Sequence, residues 1–228
     1  MKDLNMNSYR INTRGVRGFT LIELLVVIAI IGILAALLIP AGVKIQQNSK
    51  KQRARVELEK VKAAIQAYKE KMGHFPPDNT NNVALNPLYY ELSGCSRTNI
   101  GGNDTFVTLD NSARISAADL FANFAQAGIV NCSTGVGDEG GGSANRFLTE
   151  VKPNQYGETA AGNGVRVIGV RMEGPPPAFP SQSETILPFR YQATNPTNNV
   201  NGFDLWIDIK VGSKTNRICN WSETPITL

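Results

Sequence analysis

A carboxylate, Glu23, stands at the head of a run with no other polar side chain from Leu24 to Ile39. With Phe19–Ile22 the run reaches about 20 residues, enough to cross a hydrocarbon core at about 1.5 Å rise per residue. An ionised acid in such a setting costs roughly 2.5–3.5 kcal/mol on insertion scales, so it calls for a partner. Two ordinary readings leave it without one. A cleaved secretory signal would explain the basic Arg10, Arg14 and Arg17, but the apolar stretch exceeds the usual ~7–15 residues and an acid at its start is foreign to such signals. A plain signal anchor has the right length and no use for Glu23.

The string Arg17-Gly18-Phe19-Thr20-Leu21-Ile22-Glu23 resembles the processing site of type IV pilins and type II secretion pseudopilins, with Gly, Phe and Glu at that family's spacing. The resemblance implies that a membrane-embedded aspartic peptidase, the prepilin peptidase, cuts between Gly18 and Phe19. It implies N-methylation at Phe19 and a discarded leader, residues 1–18. The spacing makes physical sense. Gly18 has no side chain and can enter a narrow cleft in an extended conformation. Scission creates a cationic amine on Phe19, four residues before Glu23, and positions four apart share a helix face. In a filament, Glu23 of one subunit can meet the Phe19 amine of a neighbour displaced along the axis. Two charges about 4 Å apart attract in low dielectric and desolvation takes back much of the gain, so the pair acts as a register device for assembly.

The elements that must position this pair follow. Ala29, Gly32, Ala35 and Ala36 are small enough for close lateral helix packing. Pro40 removes a backbone bond to Ala36 and, with Gly42 just after it, should kink or loosen the helix there, a candidate break within one long N-terminal helix. Beyond it Ala54, Leu58, Val61, Ile65, Tyr68 and Met72 form one apolar stripe on a charged helix. That helix should stop at Gly73, with Lys69 and Lys71 in its last turn and Pro76-Pro77 after it. The expected division is therefore a leader (1–18), a transmembrane helix half (19–41), an amphipathic stem (42–72) and a globular head (73–228). The net charge of +4 is uneven: +3 in the leader, −1 from Glu23, +6 in residues 40–72 and −4 in 73–228. A basic stem fits anionic lipid headgroups, lateral contacts with acidic heads, or simple solvation. Basic residues flank the apolar run on both sides, so only the resemblance places the N-terminus in the cytoplasm and the head in the periplasm, single-pass in the inner membrane.

The head begins with a short helix over 86–94, proline near its start and glycine after its end. Ser116 can cap a second helix running to Ala127 before Gly128. Strand-like segments occupy 165–172, 186–192, 203–211 and 217–221, with Gly212-Ser213 closing a hairpin. Phe203, Leu205, Ile207 and Ile209 alternate with Asp204, Trp206, Asp208 and Lys210; the two acids read as solvated strand positions. The fold class expected is α+β and pilin-like: a long N-terminal helix packed on an antiparallel sheet, with a helical αβ-loop. Lys71–Pro77 and Phe203–Trp206 resemble segments of G-type, major pseudopilins.

Other chemical signals are weak. Gly135–Gly140 matches GxGxxG without a preceding strand or following helix, which argues against a nucleotide site. Asp138 and Glu139 in that loop could ligate calcium; G-type pseudopilins carry a calcium loop near the C-terminus, but the ending Asn220–Pro225 lacks its acids. No cofactor or metal is expected, nor a nucleic-acid partner, and no catalytic motif marks an enzyme. Of Cys95, Cys132 and Cys219, a disulfide between Cys95 and Cys132 is the preferred of three pairings, three buried thiols being the alternative. The chain reads as a pseudopilus subunit for protein export by a type II secretion system, with other pseudopilins, an assembly platform, its ATPase and membrane lipid as partners. A type IV pilin for adhesion, motility or DNA uptake is the alternative within the class. A membrane-tethered binding module or enzyme that borrows the processing signal is the alternative outside it.

Overall fold

The structure is a computed structural model and describes residues 18–134, 143–159, 164–175 and 186–228, the side chains of 37–42 excepted. The chain divides into two compact units, one ending at Ile45 and one comprising Gln46–Leu228. Helix α1, Leu21–Met72, runs through both. It is helical throughout, Pro40 and Gly42 included, as expected of one long N-terminal helix. Gly73, at φ 82°, follows its last turn and donates to the carbonyl of Lys69 at 2.8 Å, the glycine stop expected from sequence.

In the second unit the α1 stripe is the spine of the core. Ala54, Leu58, Val61, Ile65 and Tyr68 are buried, Met72 is partly so, and Ala64 joins them. Full burial of side chains such as Leu58 and Ile65 stabilises by about 1.5–3 kcal/mol each. The same buried cluster contains Leu88 and Leu92 of α2 (Leu88–Ser93) and Leu120 and Phe124 of α3 (Ala117–Phe124). Gly94 ends α2 at φ 67°, and a Cβ there would sit 2.7 Å from the Asn145 carbonyl oxygen, so only glycine fits. Ser116 caps α3 as expected, accepting from the Asp119 amide at 3.0 Å. The helix stops at Phe124, short of Ala127, because Ala125 turns into the left-handed region at φ 56°.

Three sheets complete the head. The first lies in the segment expected as a helical αβ-loop, which holds α2 and α3 and, beyond that expectation, four strands. Strands β1 (Cys95–Ile100), β2 (Asn103–Thr108), β3 (Arg114–Ser116) and β4 (Cys132–Thr134) form it in the order β3-β2-β1-β4, with β1 and β4 parallel. The second contains β5 (Tyr156–Glu158), β6 (Arg166–Arg171) and β7 (Ile186–Pro188). The third has the order β11-β10-β9-β8, from β8 (Arg190–Gln192), β9 (Asp204–Val211), β10 (Lys214–Cys219) and β11 (Ile226–Thr227). Phe189, whose amide donates to the Ile168 carbonyl at 3.0 Å, divides the segment read as one strand. The hairpin at Gly212-Ser213 forms as expected, Val211 opposite Lys214 and Gly212 at φ 64°, so β10 starts earlier than its apolar end suggested.

Candidate functional site

In the first unit, α1 starts at Leu21, and Gly18, Phe19 and Thr20 lie before it, all exposed. Thr20 is the cap. Its amide and its hydroxyl each donate to Glu23 Oε2 at 2.8 Å, while the Glu23 amide donates back to Thr20 Oγ1 at 3.3 Å. Thr20-Leu21-Ile22-Glu23 is thus a capping box, satisfying helix-start donors reciprocally. Sequence reasoning passed over Thr20, although the Thr-x-x-Glu spacing ahead of an apolar run was its signal. The box also changes the expected relation of Phe19 to Glu23: Phe19 lies outside the helix, so Glu23 meets Thr20 rather than sharing a face with Phe19. Glu23 Oε1 has no hydrogen-bond partner among the described residues, which leaves one carboxylate oxygen for a further donor.

Around this carboxylate the helix is apolar on every side. Phe19 is 75% exposed, Leu21 81% and Ile33 64%, and a Cβ at Gly32 would meet nothing within 4 Å. The described apolar stretch runs from Leu21 to Ala36, about 24 Å at the α-helical rise. Among the described residues no helix is long and apolar enough to cross a membrane; the span expected over 19–41 continues into 37–42, whose side chains lie outside them. An all-round apolar helix is stable only when lipid or other helices cover it.

The head carries two buried acids where solvated ones were expected. Asp204 accepts from the amides of Thr197, Asn198 and Asn199 at 2.8–2.9 Å, which hold the turn before β9. Asp208 is gripped by Arg190 at 2.9 Å and Arg217 at 2.8 and 3.0 Å. Each points from the outward side of β9 into its own set of donors, so burial follows from satisfied hydrogen bonds rather than from apolar character. A third, Glu91 on α2, accepts from the Val130 and Asn131 amides at 2.8 and 3.0 Å and from the Tyr68 hydroxyl at 3.0 Å, tying α1, α2 and the 130–131 segment together. Burial, the dominant effect, pushes its pKa up, partly offset by those hydrogen bonds.

Cys95 and Cys132 are direct register partners in β1 and β4, yet both are free thiols, as is Cys219. The expected disulfide is absent; Cys95 Sγ instead donates to the Tyr90 carbonyl at 3.6 Å and Cys132 Sγ to that of Ser133 at 3.5 Å. The GxGxxG string with Asp138 and Glu139 lies outside the described residues. Among the described residues no group of three or more His, Cys, Asp or Glu side chains could hold a metal ion.

The sequence that builds this capped helix start is similar to that of known proteins. A family model described as the prokaryotic N-terminal methylation motif covers residues 13–39. The chain is 32% identical over 123 residues to the type IV major alpha-pilin of Moraxella bovis, covering 54% of this chain and 70% of that protein. It is 40% identical over 82 residues to the type IV major pilin protein PilA of Myxococcus xanthus, 36% of each chain. It is 40% identical over 69 residues to the type II secretion system core protein G of Escherichia coli, 30% of this chain and 48% of that one. These last two matches span well under two thirds of the relatives' lengths. No solved structure matches. The chain belongs to the family of type IV pilins and pseudopilins, with a prepilin-type N-terminus.

Proposed function

We propose that this chain is a non-enzymatic structural subunit of an inner-membrane-anchored filament, and specifically of a pseudopilus acting in protein export by a type II secretion system. The reading rests on one observation: Glu23 sits at the start of an exposed apolar helix with one oxygen engaged by Thr20 and the other without a partner among the described residues. Prepilin peptidase cleaves after Gly18, and methylation at Phe19 keeps the new amine cationic. The apolar half of α1 holds the subunit in lipid until an ATPase-driven platform draws it into a stack with other pseudopilins. There the open oxygen of Glu23 takes the Phe19 amine of the adjacent subunit, and the head stands in the periplasm. Pro40 and Gly42 supply the give for repacking in the filament.

A second reading, a type IV pilin, is favoured by the 123-residue similarity to the Moraxella pilin. Replacing Glu23 with Ala in the native host tests the shared core of both readings. The expected product is cleaved, membrane-resident and stable, but absent from the sheared filament fraction; normal filament yield would overturn it. Deleting the gene then separates the two, since loss of exported enzymes with intact surface pili supports the pseudopilus and the reverse supports the pilin.

A further inference from the structure

Within the second unit, the Gln46–Arg53 turns of α1 and the ends of β6 and β9 enclose a cleft of about 280 Å³. Lys50, Arg53, Arg171 and Lys210 line it, opposed by a single carboxylate, Glu173. That carboxylate is already committed. Glu173 pairs with Lys210 Nζ at 3.1 Å and Lys50 Nζ at 3.9 Å, and its backbone carbonyl accepts from the Lys210 amide at 2.7 Å. Among the described residues the guanidinium groups of Arg53 and Arg171 have neither a hydrogen bond nor an ion pair. Two guanidinium groups and two ammonium groups therefore line one cleft that holds a single acid, a concentration of like charge that an added anion relieves. Planar forks match the paired oxygens of a phosphate, and the Ser49 hydroxyl and Gln46 amide on the same wall can donate to its remaining oxygens.

We propose that this cleft is an anion site for a phosphate mono- or diester, gripped by Arg53 and Arg171 and flanked by Lys50 and Lys210. The chemistry is shared by an anionic lipid headgroup and a soluble phosphate. It does not depend on whether the filament is a pseudopilus or a pilus.

The test uses the full chain in detergent and in nanodiscs of mixed phosphatidylglycerol and phosphatidylcholine. Native mass spectrometry reads the lipids retained, and calorimetry reads binding of inorganic phosphate and of glycerol 1-phosphate. Wild type is expected to favour the phosphate-bearing probe by about tenfold or more over an Arg53→Gln/Arg171→Gln variant, the size of lost charge-assisted hydrogen bonds. Glu173→Gln, which removes the competing acid, is expected to tighten binding. Because the guanidinium groups of Arg53 and Arg171 make no bond among the described residues, the double variant should melt with wild type. Selective retention of phosphatidylglycerol identifies a lipid source, and binding of the soluble phosphates alone identifies a soluble one; both support the site. Equal binding by wild type and variant overturns it. So does a variant whose only change is weaker self-association, which would assign these cations to an acidic surface of a second copy.

Discussion

Thr20 and Glu23 hold each other: the threonine amide and hydroxyl both reach Glu23 Oε2 at 2.8 Å, and the glutamate amide returns to Thr20 Oγ1 at 3.3 Å. The carboxylate proposed to receive a neighbour's amine is therefore pre-oriented by its own helix start. One oxygen serves the cap and the other has no partner among the described residues, so capping and inter-subunit pairing need not compete. An anion here also complements the positive end of the α1 dipole.

Two substitutions separate the cap from the charge. Thr20→Val removes the hydroxyl and should loosen the first turn by about 1 kcal/mol, with filament yield reduced but measurable. Glu23→Gln keeps an acceptor for Thr20 and removes the charge, and the sheared filament fraction should be empty. Immunoblotting of sheared and membrane fractions reads both. Equal yields from Glu23→Gln and wild type would show that shape alone suffices.

Processing has its own test. Gly18→Leu places a branched side chain at the peptide bond proposed for cleavage, where the wild-type residue offers none. Intact-mass measurement should find the variant carrying residues 1–18 and an unmethylated Phe19. Recovery of a product of wild-type mass would move the cut elsewhere.

Much of this fold could be read from residue order because its signals are periodic. The stripe from Ala54 to Tyr68 and the alternation Phe203, Leu205, Ile207, Ile209 both mark buried faces, and both are buried. Strands β1 to β4 escaped because they are polar and short: Asn99 to Asp104 with Gly101-Gly102 reads as loop, yet it closes a hairpin with Ile100 opposite Asn103. Asp204 and Asp208 were misread because charge predicts exposure only when no donors converge on it, and convergence from Arg190, Arg217 and the 197–199 amides is a tertiary fact. At the helix start the reverse held. The Thr-x-x-Glu pattern is local and legible from residue order alone.

Asp208 pins the β8–β9–β10 sheet through Arg190 and Arg217, its own side chain only 8% exposed. Asp208→Asn preserves volume and strands two guanidinium groups beside a neutral amide. Removing one partner from a buried ion cluster leaves charge uncompensated, and a loss of about 2–4 kcal/mol in head stability is expected. Urea unfolding followed by Trp206 and Trp221 fluorescence, two rings 5.7 Å apart, reports it. A change below about 0.5 kcal/mol would place the grip among surface pairs of little weight.

Glu91 gives a pH dependence of defined sign. Burial raises its pKa in the folded state above the ordinary 4.5, so the folded state binds its proton more tightly than the unfolded chain does. Its stabilising contribution is full below about pH 4.5 and is lost as pH rises through the raised value. Glu91→Gln carries no such proton. Wild-type stability minus that of the variant should therefore fall as pH increases across this window, by at most about 1.4 kcal/mol per unit. Urea midpoints from pH 4 to 8 check it; a difference independent of pH would mean that the three donors compensate burial in full.

Cys95 and Cys132 test what register alone can do. They are register partners in the parallel strands β1 and β4, yet both are free thiols. Burial pushes Cys132 up to about 11 from an ordinary 9.0, against the opposing pull of Arg97, and pushes Cys95 higher still, with Cys132 itself a further cause. Thiol–disulfide exchange proceeds through the thiolate. At pH 8 that form is about a hundredfold scarcer at Cys132 than at an ordinary thiol, by the two-unit displacement. Iodoacetamide should therefore modify Cys132 about a hundredfold more slowly than a free cysteine at pH 8, with a rate that climbs until about pH 11. Arg97→Gln should slow it further, because the cation that favours the thiolate is gone. Rapid modification at pH 8, or immediate closure to a species two mass units lighter on adding a small-molecule disulfide, would show that the β1–β4 edge opens far more readily than its burial implies.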